Sequence, residues 1–132
     1  MAPYNAAKAY GNNKVLTASP AELTLMLYDG AVKFANKAVD ALENKDYENT
    51  NIYIQRCRAI IVELMTTLDF KYPVAEDFKR MYDYIFNLLV TANMKKDMDA
   101  LQKALEEIRG MREVWKEVMA KAKGPQLVLD TN

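Results

Sequence analysis

Few side chains in this sequence could do chemistry. Its 132 residues include no histidine and a single cysteine, Cys57. That removes imidazole bases, Ser-His and Cys-His nucleophile pairs, disulfides, and the usual zinc and copper ligand sets. Cys57 stands within an apolar helical pattern and reads as a small packed hydrophobe, not a reactive thiol. Paired carboxylates occur at Glu106-Glu107 and at Asp97 and Asp99, but on polar stretches, where a solvated face is the expected use and not a general acid and base. Without a Glu-x-x-His pair, a ferritin-like di-metal bundle lacks its ligands. The glycines stand singly at 11, 30, 110 and 124, so no loop is available to cradle a phosphate. Eighteen basic and eighteen acidic residues cancel, and Lys95-Lys96 is too short a cluster to hold nucleic acid or a membrane surface. The expectation is a protein that is not an enzyme, with no cofactor, metal or nucleic-acid partner.

The elements that would position these residues are helices. At 51% apolar and 27% charged residues, the chain fits one compact domain with a real core. Prolines stand only at 3, 20, 73 and 125, leaving two long stretches unbroken. Ser19-Pro20-Ala21-Glu22 combines a capping serine, proline at the first helical position and a glutamate able to return a hydrogen bond, a full capping box. From there Leu23, Leu27, Ala31, Phe34, Ala38 and Leu42 recur at helical spacing. The polar break Glu43-Asn44-Lys45-Asp46 ends this helix, and Asp46 caps a second with Tyr53, Cys57, Ile60, Ile61, Leu64 and Leu68. Pro73 opens a third, with a stripe of Val74, Phe78, Met81, Ile85, Leu88 and Ala92. Asn93 to Lys96 forms a hinge before Asp97 caps a fourth, carrying Leu101, Leu105, Ile108, Arg112, Trp115 and Met119 and closed by Gly124-Pro125. Short links favour antiparallel neighbours. The expected fold is all-α, an antiparallel up-down four-helix bundle over 19–124, with an extra N-terminal capping segment at 1–18 and a tail at 125–132. Met1 to Tyr10 has no signal-peptide core, and no apolar run approaches the ~20 residues of a membrane span, so a cytoplasmic location without membrane insertion is expected.

Two helices carry more apolar surface than one stripe requires. The first adds Leu25, Tyr28, Val32 and Val39; the third adds Tyr82, Phe86, Leu89 and Val90. Either these helices are central and touched on several sides, or the surplus forms a groove for another amphipathic helix. Eight methionines suit an adaptable groove and equally suit an ordinary core. Before the first helix, Tyr10, Val15 and Leu16 are too broken a pattern for a bundle helix, but they can lay side chains over a neighbouring surface as a removable cover.

The opening Thr17-Ala18-Ser19-Pro20-Ala21-Glu22-Leu23, followed by Leu25-Met26-Leu27-Tyr28-Asp29-Gly30-Ala31, closely resembles the signature of the flagellar secretion chaperone FliS family. Tyr10 and Val15 upstream resemble the family pattern too, as do Asn51, Ile54, Arg56, Ile60-Ile61, Glu63-Leu64 and Thr67-Leu68-Asp69. The same holds for Tyr82, Leu88, Ala92-Asn93, Asp97, Leu101, Arg112 and Trp115, so the likeness covers residues 10 to 118. The resemblance implies a bundle that binds the disordered C-terminal segment of newly made flagellin in the cytoplasm. That prevents premature polymerisation, and the chaperone then hands its client to the cytoplasmic domain of the flagellar type III export gate. It also implies that the segment holding Tyr10, Val15 and Leu16 moves when client arrives. The family often has Gly-Gly between its second and third helices, where this chain has Phe70-Lys71-Tyr72-Pro73. The flagellin-binding anchors expected in channels of the second and third helices are Ile54, Ile61, Leu64, Tyr82, Phe86 and Leu89, on a monomer or weak homodimer. The alternative is a structural bundle that buries the same surface by self-association.

Overall fold

The structure, a computed structural model, describes residues 18–123. Four helices account for most of this span, α1 (Pro20–Glu43), α2 (Tyr47–Thr66), α3 (Val74–Lys95) and α4 (Met98–Lys123), and the described residues contain no strand. Residues 1–17, with Tyr10, Val15 and Leu16, and Gly124-Pro125 with the tail lie outside the described residues.

The capping box that opens α1 is complete: the Glu22 amide donates to Ser19 Oγ at 3.1 Å, and the Ser19 amide donates to Glu22 Oε1 at 2.9 Å. Two orphan amides of the first turn are thereby satisfied. The two turns at the far end of the bundle share one design. Just past α1 stands Lys45 and just past α3 stands Lys96, each in the left-handed region with φ of 58° and 50°. The next amide, of Asp46 or Asp97, reaches back to the carbonyl of Ala41 (2.8 Å) or Ala92 (3.0 Å). Each aspartate then caps the following helix, Asp46 accepting from the Asn49 amide at 3.1 Å and Asp97 from the Ala100 amide at 3.2 Å. A Lys-Asp pair thus stops one helix and starts the next within two residues. Between α2 and α3 the Lys71 amide donates to Asp69 Oδ1 at 3.0 Å, and Pro73 leads into α3 without a side-chain cap.

Cross-helix contacts set the antiparallel register. On α1 and α2, Cys57 meets Ala31 and Tyr53 meets Phe34; on α2 and α3, Asn51 meets Asn93 and Arg58 meets Phe86. On α1 and α4, Arg109 bonds Asn36, Arg112 bonds Asp29, and the Trp115 indole donates to the Ala21 carbonyl at 3.0 Å. Each helix packs on two neighbours around a square, in the order α1, α2, α3, α4. The bundle expected from the sequence is the bundle observed.

Inside it, the packing stripes differ in two places from the expected ones. In α1 the central positions are Ala31, Ala35 and Ala38, all fully buried, and Phe34 turns aside to stack on Tyr53 with ring planes 19° apart. In α3 the buried residues are Ala75, Tyr82, Ile85, Leu89 and Ala92, whereas Val74 is 53% exposed and Leu88 only half-buried. Adjacent apolar residues occur at 74/75, 81/82 and 88/89, so spacing alone permits two stripes one residue apart. The structure takes the second, which gives the Tyr82 hydroxyl a partner inside the bundle.

Candidate functional site

That partner is Tyr28. Both side chains are almost wholly enclosed, their rings lie 6.4 Å apart, and their hydroxyls share a hydrogen bond across the diagonal from α1 to α3. Burial pushes the Tyr82 phenol up to about 12 and that of Tyr28 higher still, so both are neutral at ordinary pH. Cys57, fully buried, lets its thiol point to the Ala31 carbonyl at 3.4 Å, and burial pushes it up to about 12. A thiol so protonated and enclosed is no nucleophile. Of the carboxylates singled out in the sequence, Glu106 and Glu107 both pair with Lys103, at 3.6 and 3.3 Å. Asp97 caps α4. Among the described residues no group of side chains is arranged to hold a metal ion, and no helix is long and apolar enough to cross a membrane.

The surface offers two features. The first is the seam between α2 and α3, where the register that pairs Asn51 with Asn93 at 2.7 Å also brings Arg58 over Phe86, its guanidinium carbon 4.9 Å from the ring centroid. One turn further along α2, Val62 is 45% exposed, and Met65 is half-buried beside it. Arg58 Nε is buried there and has no hydrogen-bond acceptor among the described residues. A guanidinium laid on a ring retains cation–π attraction, but an unmet buried N–H carries a desolvation cost of about 1–3 kcal/mol.

The second is an apolar pocket of about 640 Å³ at the end of the bundle where α1 and α3 begin and α2 and α4 finish. Leu23 and Leu27 of α1, Leu68 and Tyr72 of the α2–α3 link, Phe78 of α3, and Trp115 and Val118 of α4 line it. The position follows from the topology, since all four helix ends there lack the Lys-Asp turns that close the opposite end.

Of the six anchors expected from the sequence, Ile54, Ile61, Leu64, Tyr82 and Leu89 lie in the core, each 2% exposed or less. Only Phe86 reaches the surface, packed against the core on one side and under Arg58 on the other. Arg58, Val62 and the pocket escaped the sequence reading. The signal for Val62 was a β-branched apolar residue off the α2 stripe; for Arg58 there was none, because an arginine on a helix ordinarily points to water. The residues of the opening signature have visible structural work. Ser19 and Glu22 start α1, Ala21 receives the Trp115 indole, Asp29 holds Arg112, and Tyr28 makes the diagonal bond.

The family model described as Flagellar protein FliS matches residues 3–122. The flagellar secretion chaperone FliS of Bacillus subtilis (strain 168) is 40% identical over 119 residues, 90% of each chain. That of Campylobacter jejuni subsp. jejuni serotype O:6 is 33% identical over 112 residues, 83% of this chain and 88% of its own. The Salmonella typhimurium protein of the same name is 30% identical over 122 residues, 87% and 90% of the two chains. A match that runs through the capping box, the diagonal tyrosines and the α1–α4 ties spans the whole described bundle, and this chain belongs to the FliS family, flagellar secretion chaperones and not enzymes.

Proposed function

We propose that this chaperone binds the disordered C-terminal segment of flagellin in the cytoplasm, keeps it from polymerising early, and carries it to the cytoplasmic domain of the flagellar type III export gate. The observation that carries this reading is the α2–α3 seam, where Phe86, Val62 and Met65 border a buried Arg58 Nε that lacks an acceptor. An amphipathic client helix laid along the seam would bury the apolar side chains and bring a carbonyl or carboxylate oxygen to the guanidinium. Phe86 remains the proposed anchor of the original six. Ile54, Ile61, Leu64, Tyr82 and Leu89 act beneath it as the floor that holds the seam in shape. Tyr10, Val15 and Leu16 form the movable cover in the same reading, leaving the seam when client arrives.

Calorimetric titration with a peptide covering the last ~50 residues of flagellin from the same organism tests this, since folding on binding gives a large negative heat-capacity change. Saturable one-to-one binding with that signature is expected. Phe86→Ser should weaken it by roughly tenfold or more, the loss typical of a central anchor, with the helical circular dichroism intact. Arg58→Met separates binding from folding. It removes the unmet donor and keeps a side chain that contacts the ring, so stability should change by less than about 1 kcal/mol while affinity falls several-fold. Unaltered affinity in both variants would remove the seam from the reading. The resting state proposed is a monomer or weak homodimer; a tight dimer in sedimentation that flagellin peptide leaves intact would favour the self-associating structural bundle.

A further inference from the structure

On the other side of α2 from the seam lies a second surface built around an arginine. Arg56 and Arg58 stand two residues apart on α2, about 200° around the helix, so they leave it in opposite directions. Arg58 serves the seam with α3. Arg56 lies over the stacked pair Phe34 and Tyr53 between α1 and α2, its guanidinium carbon 5.8 and 6.0 Å from the two ring centroids. The Lys37 ammonium is 5.6 Å from the Tyr53 centroid, and that of Lys33 is 5.4 Å from the Phe34 centroid. Both rings are half-buried, whereas Lys37 and Arg56 are exposed. A ring attracts a cation by its charge and leaves the N–H donors unused. Among the described residues Lys37 and Arg56 make no hydrogen bond or ion pair, and Asp40, one turn beyond Lys37, is not bonded to it. On α3 and α4, by contrast, Lys79, Arg80, Lys103, Arg112 and Lys116 all meet carboxylates. The sequence sets this difference. Over residues 30–39 of α1 and 49–62 of α2 every charged residue is basic, although the whole chain has a formal net charge of zero.

We propose that the α1–α2 face is a docking surface for an acidic amphipathic segment of another protein, with carboxylates on Arg56 and Lys37 and apolar side chains on Phe34 and Tyr53. The Arg56 guanidinium offers a fork that takes a carboxylate through two hydrogen bonds, and Lys37 adds a point charge beside it. Basic charge gathered on one face steers an acidic partner there and rejects a basic one. The chain itself has little to put in this place. Residues 1–17 contain no acidic residue, and 124–132 contain only Asp130, so an occupant with several carboxylates comes from a different molecule. The surface is separate from the seam and does not depend on what the seam binds.

The probe is a synthetic amphipathic peptide of alanine, leucine and glutamate, its leucines on one helical face, titrated into the full chain without flagellin. Saturable one-to-one binding is expected in calorimetry, with shifts of the Phe34 and Tyr53 ring resonances in NMR spectra and weaker binding as salt is raised. Arg56→Gln should weaken it about tenfold and Arg56→Lys by less, because lysine keeps the charge and loses the fork. Lys37→Gln should cost about threefold, as for an exposed pair. Both positions are exposed, so helical circular dichroism should match that of the unmutated chain. The same peptide with lysine for every glutamate should not bind. Equal binding of the two peptides, or unaltered affinity in Arg56→Gln and Lys37→Gln, overturns the proposal. Ring resonances that move in Asp130→Asn without peptide assign the face to the chain's own tail, and those that move on dilution of the chain alone assign it to a second copy. Displacement of the acidic peptide by the flagellin peptide makes the face part of the client site. Ring shifts from phosphatidylglycerol vesicles where the peptide gives none assign it to a membrane surface. Each of these four outcomes overturns the proposal as well.

Discussion

Two phenols that share one hydrogen bond inside a bundle are a liability when separated. Tyr28→Phe leaves the Tyr82 hydroxyl enclosed with its partner gone, and Tyr82→Phe does the reverse. Each single change should cost about 1–3 kcal/mol in urea unfolding, the penalty of an unmet buried hydroxyl, whereas the double variant should be close to neutral. The coupling between the two in a double-mutant cycle measures the pair, and additive losses would show that the hydroxyls are independent. This pair also explains where sequence reading stopped at the level of single residues. Cys57 was legible as a packed small side chain because nothing else in the sequence could react with it. Tyr82 and Leu89 were read as surplus and are core: the two neighbouring stripes on α3 have the same spacing, and the contact that marks the inner one, the Tyr28 hydroxyl, lies fifty-four positions away. No periodicity within α3 contains that information.

Helix boundaries were far more legible, because the signals that set them are local. The capping box at Ser19, the aspartate caps at 46 and 97 and the proline before Val74 all act within a few residues of themselves. What local signals did not reveal is the shared Lys-Asp turn, since lysine is a poor choice for a left-handed position. Lys45, with φ of 58°, should therefore gain from glycine: Lys45→Gly is expected to stabilise the bundle by about 1 kcal/mol. Lys96→Gly should gain less, because the Lys96 ammonium bonds both the backbone and side-chain oxygens of Asn93 at 2.8 Å and glycine would lose those bonds. Thermal melts of the two variants give the order directly; an equal gain would mean that the Asn93 bonds contribute nothing.

At the scale of the whole molecule, the buried titratable groups give the fold a defined alkaline limit. Tyr82 moves from 10.0 to about 12 and Cys57 from 9.0 to about 12. In both the folded protein keeps its proton longer than the unfolded chain does. Their contribution is complete below about pH 9 and is lost as pH rises from 9 towards 12, because only the unfolded state gains by releasing protons there. Unfolding free energy from urea melts should decline across that window, and tyrosinate absorbance of the last two tyrosines should appear together with loss of helix. A flat profile to pH 12 would contradict the enclosure of these groups. The overall architecture was readable because short links and strong caps leave few ways to arrange four helices of this length. The binding surfaces were not, because a seam and a pocket are made by pairs of elements, and their register appears only once the helices are set side by side.

The alanines at 31, 35 and 38 in α1 have a mechanical consequence. A methyl group has no rotamers to exchange, so α1 lies against its neighbours as one hard surface against another, with nothing to compress. The α2–α3 seam is faced instead by Arg58, Met65 and Phe86, long or broad side chains with rotamers to exchange. In the proposed reading, a client helix seated on the seam is met by side chains that can readjust to it while α1 keeps its place.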